Sequence, residues 1–190
     1  MRAVLCSRNR NKAGELERLL PGWTIEPLDR VDYPPETGAT YYENASIKAA
    51  FGREYEPGWV LAEDSGLEVD ALGGRPGVLS ARYAPEGAPA VRKLLGELAA
   101  IEERGARYVS ELVLLSPDGR ELRGTGRLEG RIAREARGSE GFGYDPIFIP
   151  AGEKRTVAEL GNEWKSDHSH RARAARALQR ARADALSTTS

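Results

Sequence analysis

The sequence predicts an α/β fold, a mixed central sheet flanked by helices, in two lobes with a cleft between them. Two patterns carry this prediction. In the first half, short apolar runs alternate with segments of helical periodicity, the pattern of strands joined by crossover helices. In the second half, Tyr108 to Leu115 and Arg120 to Ile132 read as two strands separated only by Ser116-Pro117-Asp118-Gly119. That is the composition of a turn between antiparallel strands. A hairpin of this length is expected to extend the sheet into a second lobe, and small-molecule sites favour clefts of that kind.

Each element follows from local chemistry. Ala3 to Cys6 is an apolar strand, and Ser7-Arg8-Asn9-Arg10 the polar loop after it. Ala13, Leu16, Leu19 and Leu20 fall on one face of a helix that Pro21-Gly22 ends. Trp23-Thr24-Ile25 suggests a short second strand. Thr40 and Glu43 form a capping-box pair, so a helix is expected from Tyr41 to about Tyr55, before Pro57-Gly58. Val60-Leu61-Ala62 reads as a buried strand delivering Glu63-Asp64-Ser65-Gly66 at its end, after which Leu67, Val69 and Ala71 alternate as a half-buried strand. Gly73 to Gly77 is a loop, and Val91, Leu94, Leu95 and Leu98 mark a helix. Asp145 to Ile149 reads as a strand. Thr156 and Glu159 repeat the capping-box signature over a short helix, and an arginine-rich helix follows from about Asp167 to Leu186. Residues 1–186 are expected to form one two-lobed domain, with Ser187 to Ser190 a frayed tail.

Composition excludes several classes. At 190 residues the chain buries roughly 70% of its unfolded surface and folds without disulfides or a structural metal. Cys6 is the single cysteine, so there is no disulfide scaffold. The formal net charge of −1 argues against a nucleic-acid partner bound by bulk electrostatics. No apolar run is long enough to span a membrane, and Met1 to Cys6 is too short for a signal-peptide core. A cytoplasmic enzyme or small-molecule binder is expected.

Five constellations carry possible chemistry. The loop Ser7-Arg8-Asn9-Arg10-Asn11-Lys12 precedes a helix whose first N–H groups and dipole favour phosphate, though a helix cap with a solvated basic turn explains it as well. Glu63-Asp64 follows an apolar strand, where α/β sites form. Side chains alternate along a strand, so the two carboxylates share one site only if the strand stops there. A solvated turn is the alternative. Glu36 lies in a Pro-rich loop, and Glu43 is accounted for by capping. Lys48, five residues further along the same helix, reads from the residues alone as a surface lysine. In Gly141-Phe142-Gly143-Tyr144-Asp145 the glycines leave the Phe142 face open to a planar ring, with Asp145 as acceptor for a ring N–H, or else Phe142 anchors the core. Finally, Lys165, His170 and Arg171 crowd a helix start, where positive charge opposes the dipole and would suit an anion or carbonyl, or else they belong to the general arginine richness of that helix. His168 and His170 are two apart, so they do not form a zinc pair on one helical face.

Taken in this order, the segments resemble the inosine triphosphate pyrophosphatase-like family of noncanonical purine nucleoside triphosphate pyrophosphatases. The marks run from Ser7-x-Asn9-x-x-Lys12 through Glu36-Thr37-Gly38, Glu43-Asn44-Ala45 with Lys48 and Glu63-Asp64-Ser65-Gly66-Leu67. They continue through Leu72-Gly73-Gly74-x-Pro76-Gly77, Ser80-Ala81-Arg82-Tyr83 and Phe142-Gly143-Tyr144-Asp145 to Ser169-His170-Arg171. The resemblance implies the inosine triphosphatase-like two-lobed fold, a homodimer, and Mg²⁺-dependent hydrolysis of ITP, dITP and XTP to the monophosphate and pyrophosphate. It implies that Ser7, Arg8, Asn9, Arg10, Asn11 and Lys12 bind the triphosphate with Lys48 and Ser65. It makes Asp64 the general base and a Mg²⁺ ligand, with Glu36 the second ligand. Phe142, Gly143, Tyr144, Asp145, Lys165, His170 and Arg171 would hold the purine and ribose. Bacterial members often read Asp-Asp where this chain has Glu63-Asp64, which opens the question of Glu63 in the metal shell. A Maf-like pyrophosphatase is the rival enzyme, but Ser7-Arg8-Asn9-Arg10 lacks that group's proline and second serine. A catalytically silent nucleotide-binding regulator is the other rival, and Glu36 and Asp64 argue against it, since anion binding alone favours neutral or basic groups.

Overall fold

The alternation of buried side chains along the strands decides which helix covers which face of the sheet. The structure, a computed structural model, describes residues 1–7, 10–85 and 87–187, and of Arg10 and Asn11 the backbone alone. In chain order the elements are β1 (Arg2–Cys6), α1 (Arg10–Leu19), β2 (Thr24–Pro27), α2 (Tyr41–Arg53), β3 (Trp59–Val69), α3 (Ala88–Glu97), β4 (Gly105–Leu115), β5 (Glu121–Ile132), β6 (Phe148–Pro150), α4 (Val157–His168) and α5 (His170–Ser187). The strands pair in the order β2-β1-β3-β4-β5-β6. β1 is parallel to β2 and β3, and β5 is antiparallel to β6, so the sheet is mixed as expected.

The chain divides into two compact units. The first comprises residues 1–64, 110–126 and the stretch from Arg171 onward; the second comprises 65–109 and 127–170. In the first unit, Ala3, Leu5, Leu61, Leu112 and Leu114 pack against Leu16 of α1 and Ala174, Ala175 and Leu178 of α5. Cys6, Val60, Ala62 and Val113 pack instead with Ala45 and Ala49 of α2. Odd and even positions of β3 therefore face different helices, as the two-residue period of a strand requires. α2 lies close to β1: a Cβ at Gly52 would stand 2.0 Å from Cys6 Sγ. The second unit is centred on Leu67, Val69, Leu94, Leu98, Tyr108, Ile132, Ile147 and Phe148.

Both capping boxes form. Glu43 N–H donates to Thr40 Oγ1 and the Glu43 carboxylate accepts from Thr40 N–H; Glu159 and Thr156 repeat this at α4. Five expectations need correction. β2 lies at Thr24–Pro27, later than Trp23 to Ile25. Leu67 and Val69 do not begin a second strand, because β3 continues unbroken from Trp59 to Val69, and Ala71 belongs to a 3₁₀ turn. Asp145 precedes β6 in a turn closed by Asp145 N–H to Phe142 O, which leaves only Phe148–Pro150 to pair with β5. The last two helices meet at Ser169, whose extended backbone (φ −62°, ψ 161°) ends α4, so Asp167 lies in the last turn of α4 rather than at the start of α5. α5 also includes Ser187, the first residue of the expected tail, and residues 188–190 lie outside the described residues.

Candidate functional site

The capped start of α2 organises one cluster. Gly38 N–H donates to Asn44 Oδ1 at 2.8 Å, and a Cβ at Gly38 would meet that oxygen at 2.8 Å and the Glu43 Cβ at 2.6 Å. Only glycine lets the Glu36-Thr37-Gly38 segment lie this close to the helix. One turn further on, Lys48 Nζ donates to Glu36 Oε1 at 2.6 Å and to Asp64 Oδ1 at 3.0 Å. Asn44 Nδ2 donates to the other Asp64 oxygen at 3.2 Å. Two carboxylates from separate segments thus share one ammonium, and their oxygens lie within reach of a single cation. Burial alone would lower the Lys48 ammonium, but Asp64 and Glu36 outweigh it and hold the pKa above the usual lysine value. Burial raises the Asp64 carboxyl, and Lys48 offsets only part of that rise.

Glu63, one residue earlier, faces the other side of β3. Its Oε1 accepts from Arg171 Nε at 3.2 Å, Arg171 Nη2 at 3.1 Å and Ser110 Oγ at 3.0 Å. Its Oε2 lies 2.5 Å from Lys12 Nζ. Arg171 Nη1 donates to Glu15 Oε2 at 2.7 Å. Glu63 is fully buried, which alone would raise its pKa, yet Arg171 and Lys12 outweigh burial and hold it well below the usual glutamate value. Unpaired, a carboxylate at this depth would cost several kcal/mol. Glu63 therefore anchors two cations and does not face the side of β3 that carries Asp64.

A third cluster belongs to the second unit. Asp145 Oδ2 accepts from Phe142 N–H and Lys165 Nζ, both at 2.9 Å, and Oδ1 accepts from Tyr108 Oη at 3.3 Å. Gly141 is required where it stands, since its φ is +80° and a Cβ would meet Asp145 Oδ2 at 2.2 Å. Lys165 Nζ lies 4.2 Å from the centre of the half-buried Phe142 ring. His170 stacks on Tyr108 with centroids 4.6 Å apart and planes 13° from parallel. Gly143 takes a positive φ of 63° and turns the chain beside Phe142.

A family model described as the Ham1 family matches residues 3–181. The chain belongs to the Ham1 family. It is 46% identical over 187 residues to the "dITP/XTP pyrophosphatase" of Leifsonia xyli subsp. xyli, covering 94% of each chain. It is 48% identical over 186 residues to the protein of that name from Symbiobacterium thermophilum, again with 94% of each covered. Its fold is similar to the solved Ham1 protein of Staphylococcus aureus, at a TM-score of 0.84 and 34% identity with both chains covered completely.

Within this Ham1 chain the expected residues fall into three groups. Glu36, Lys48 and Asp64 come together, with Asn44 added. Lys12 and Arg171, expected at opposite ends of the substrate, share Glu63. Phe142, Asp145, Lys165 and His170 come together, with Tyr108 added. Tyr144 is a core residue: its hydroxyl donates to Ser80 O at 3.3 Å, and burial pushes its pKa up to about 12. Ser7 is buried at the end of β1, beside a cavity of about 650 Å³ lined also by Leu28, Arg30 and Tyr33. Ser65 follows Asp64 on β3 and is half-buried. Arg8 and Asn9, and the side chains of Arg10 and Asn11, lie outside the described residues.

The residue types suit a hard divalent cation. Mg²⁺ binds through one or two carboxylates and completes its shell with water and substrate phosphate. Glu36 and Asp64 match that donor set, and among the described residues no group of three or more His, Cys, Asp or Glu is placed to hold a metal. Asn44 entered only as part of a motif, and Glu15 and Tyr108 were missed from sequence as contributors. Asn44 stands four residues before Lys48 and Glu15 three after Lys12, spacings that put each pair on one helical face and would have signalled the first two.

Proposed function

We propose that this chain is a nucleoside triphosphate pyrophosphatase that hydrolyses the deaminated purine nucleotides ITP, dITP and XTP to the monophosphate and pyrophosphate, and so cleanses the nucleotide pool. The observation that carries the reading is Lys48 held between Glu36 and Asp64. Such a pair of carboxylates fits Mg²⁺, and its ammonium fits a phosphate oxygen once substrate enters. The "dITP/XTP pyrophosphatase" names of relatives with 94% mutual coverage support dITP and XTP among these substrates. We extend the reading to a cytoplasmic homodimer with no nucleic-acid or membrane partner. Among the described residues, no helix is long and apolar enough to cross a membrane.

The chemistry assigned to this chain's own residues is proton transfer and charge placement. Asp64 accepts a proton from water as the water oxygen bonds to the α-phosphorus. The bond from that phosphorus to the α–β bridging oxygen breaks, and pyrophosphate leaves. A carboxyl raised by burial is a stronger base once ionised, and Asn44 fixes the orientation of the oxygen it touches. Lys48 answers negative charge developing on the phosphate. Glu36 and Asp64 would hold the Mg²⁺, which when bound neutralises phosphate charge. At the base end, Lys165 and His170 are the donors suited to the six-position carbonyl of hypoxanthine or xanthine. Adenine carries an amino donor there and would leave such groups unsatisfied. Arg171, assigned with them to the purine end, donates to Glu15 and Glu63.

The test is a product assay with ITP, dITP, XTP, ATP and GTP in the presence of Mg²⁺. Pyrophosphate release from the first three, with ATP much slower, is expected. Orthophosphate as the product would exclude the reading.

A further inference from the structure

We propose that Tyr108 is a positioning residue for base selection: its ring holds His170 and its hydroxyl holds Asp145, so one side chain sets two of the groups assigned to the purine end. The inference rests on the proposed reaction and goes beyond it, because nothing in the sequence marked Tyr108 as more than a strand residue. Tyr108 lies on β4, buried to 7% exposure, in the core around Phe148, whose ring centre is 4.5 Å from its own. Phenylalanine would fill that position equally well. A buried tyrosine hydroxyl instead requires a polar partner, and here it donates to Asp145 Oδ1.

The consequence runs through Asp145. Its other oxygen already holds Phe142 N–H and Lys165 Nζ, so the Tyr108 hydroxyl fixes the remaining freedom of the carboxylate and with it the position of Lys165. The near-parallel contact of the Tyr108 ring with His170 sets the plane of the imidazole. A site that selects a carbonyl by aimed donors loses selectivity when the aim is loosened, while the bonds being made and broken at phosphorus are unaffected. The expected signature is therefore a change in KM and base preference with kcat retained.

The experiment compares wild type with Tyr108→Phe and Tyr108→Leu, measuring kcat, KM and Kd for ITP and ATP. Tyr108→Phe should raise KM for ITP about three- to tenfold with kcat within about twofold, and lower the ITP-over-ATP preference by the same factor. Tyr108→Leu should lower it further. An unchanged preference in Tyr108→Phe, or a fall in kcat equal for both nucleotides, would overturn the proposal while leaving the reaction intact. If wild type released no pyrophosphate from ITP, the reaction would fail, and the Kd ratios would still decide the role of Tyr108. The chain has two histidines, so the ring-current shift of His170 is readable by proton NMR. It should persist in Tyr108→Phe and vanish in Tyr108→Leu; persistence in both would contradict the stack.

Discussion

Glu63 and Asp64 are adjacent acids with opposite environments. Asp64 is raised by burial and answered by one lysine that it shares with Glu36; Glu63 is deeper, yet held low by Arg171 and Lys12. The first arrangement suits a base that must gain and lose a proton, the second a fixed anion. Asp64→Asn is expected to abolish turnover while nucleotide affinity, read by calorimetry, changes little. Equal affinity with retained turnover would remove Asp64 from the reaction. Glu63→Gln is expected to act on stability: removing one partner from a buried pair costs about 3–5 kcal/mol, read from denaturant unfolding. The sign with pH follows from the lowered pKa. Glu63 adds stability above the unfolded glutamate pKa, and that stability is lost as pH falls through the folded value. Wild-type stability should therefore fall more steeply in acid than that of Glu63→Gln, and parallel curves would contradict the depressed carboxyl.

At the scale of elements, the first turn of α2 sets the geometry of the Lys48 cluster, since Gly38, Thr40, Glu43 and Asn44 dock the preceding loop on the helix. Thr40→Ala should cost about 1 kcal/mol of stability, measured as a shift of the urea midpoint at constant slope. No shift would mean that the cap carries nothing. Both capping boxes and the long hairpin were legible in the sequence because their signals are local. β3 was not. Its two acids read as the end of a strand, and the strand runs through them because their partners come from α1, α2 and α5. Arg171 is 108 residues from Glu63, and no local pattern announces that pairing. Asp145 read as a strand residue for the converse reason: its carboxylate closes a glycine turn, and apolar neighbours at Ile147 to Ile149 concealed it. For the site, residue types put Glu36, Lys48 and Asp64 forward as candidates, and the fold brings the three together and separates their cluster from the one around Glu63.

For the whole molecule, membership of the Ham1 family and the mixed sheet agree with one another and with the order of motifs along the chain. The proposed homodimer predicts twice the 20.7 kDa chain mass by light scattering at micromolar concentration, and a monomer there would contradict it. The central claim is that water attacks the α-phosphorus of a deaminated purine triphosphate, and isotope placement tests it most directly. ITP hydrolysed in ¹⁸O-water with Mg²⁺ should give inosine monophosphate carrying the label and pyrophosphate carrying none. Label in pyrophosphate, or in released orthophosphate, would place the attack at another phosphorus and contradict the account.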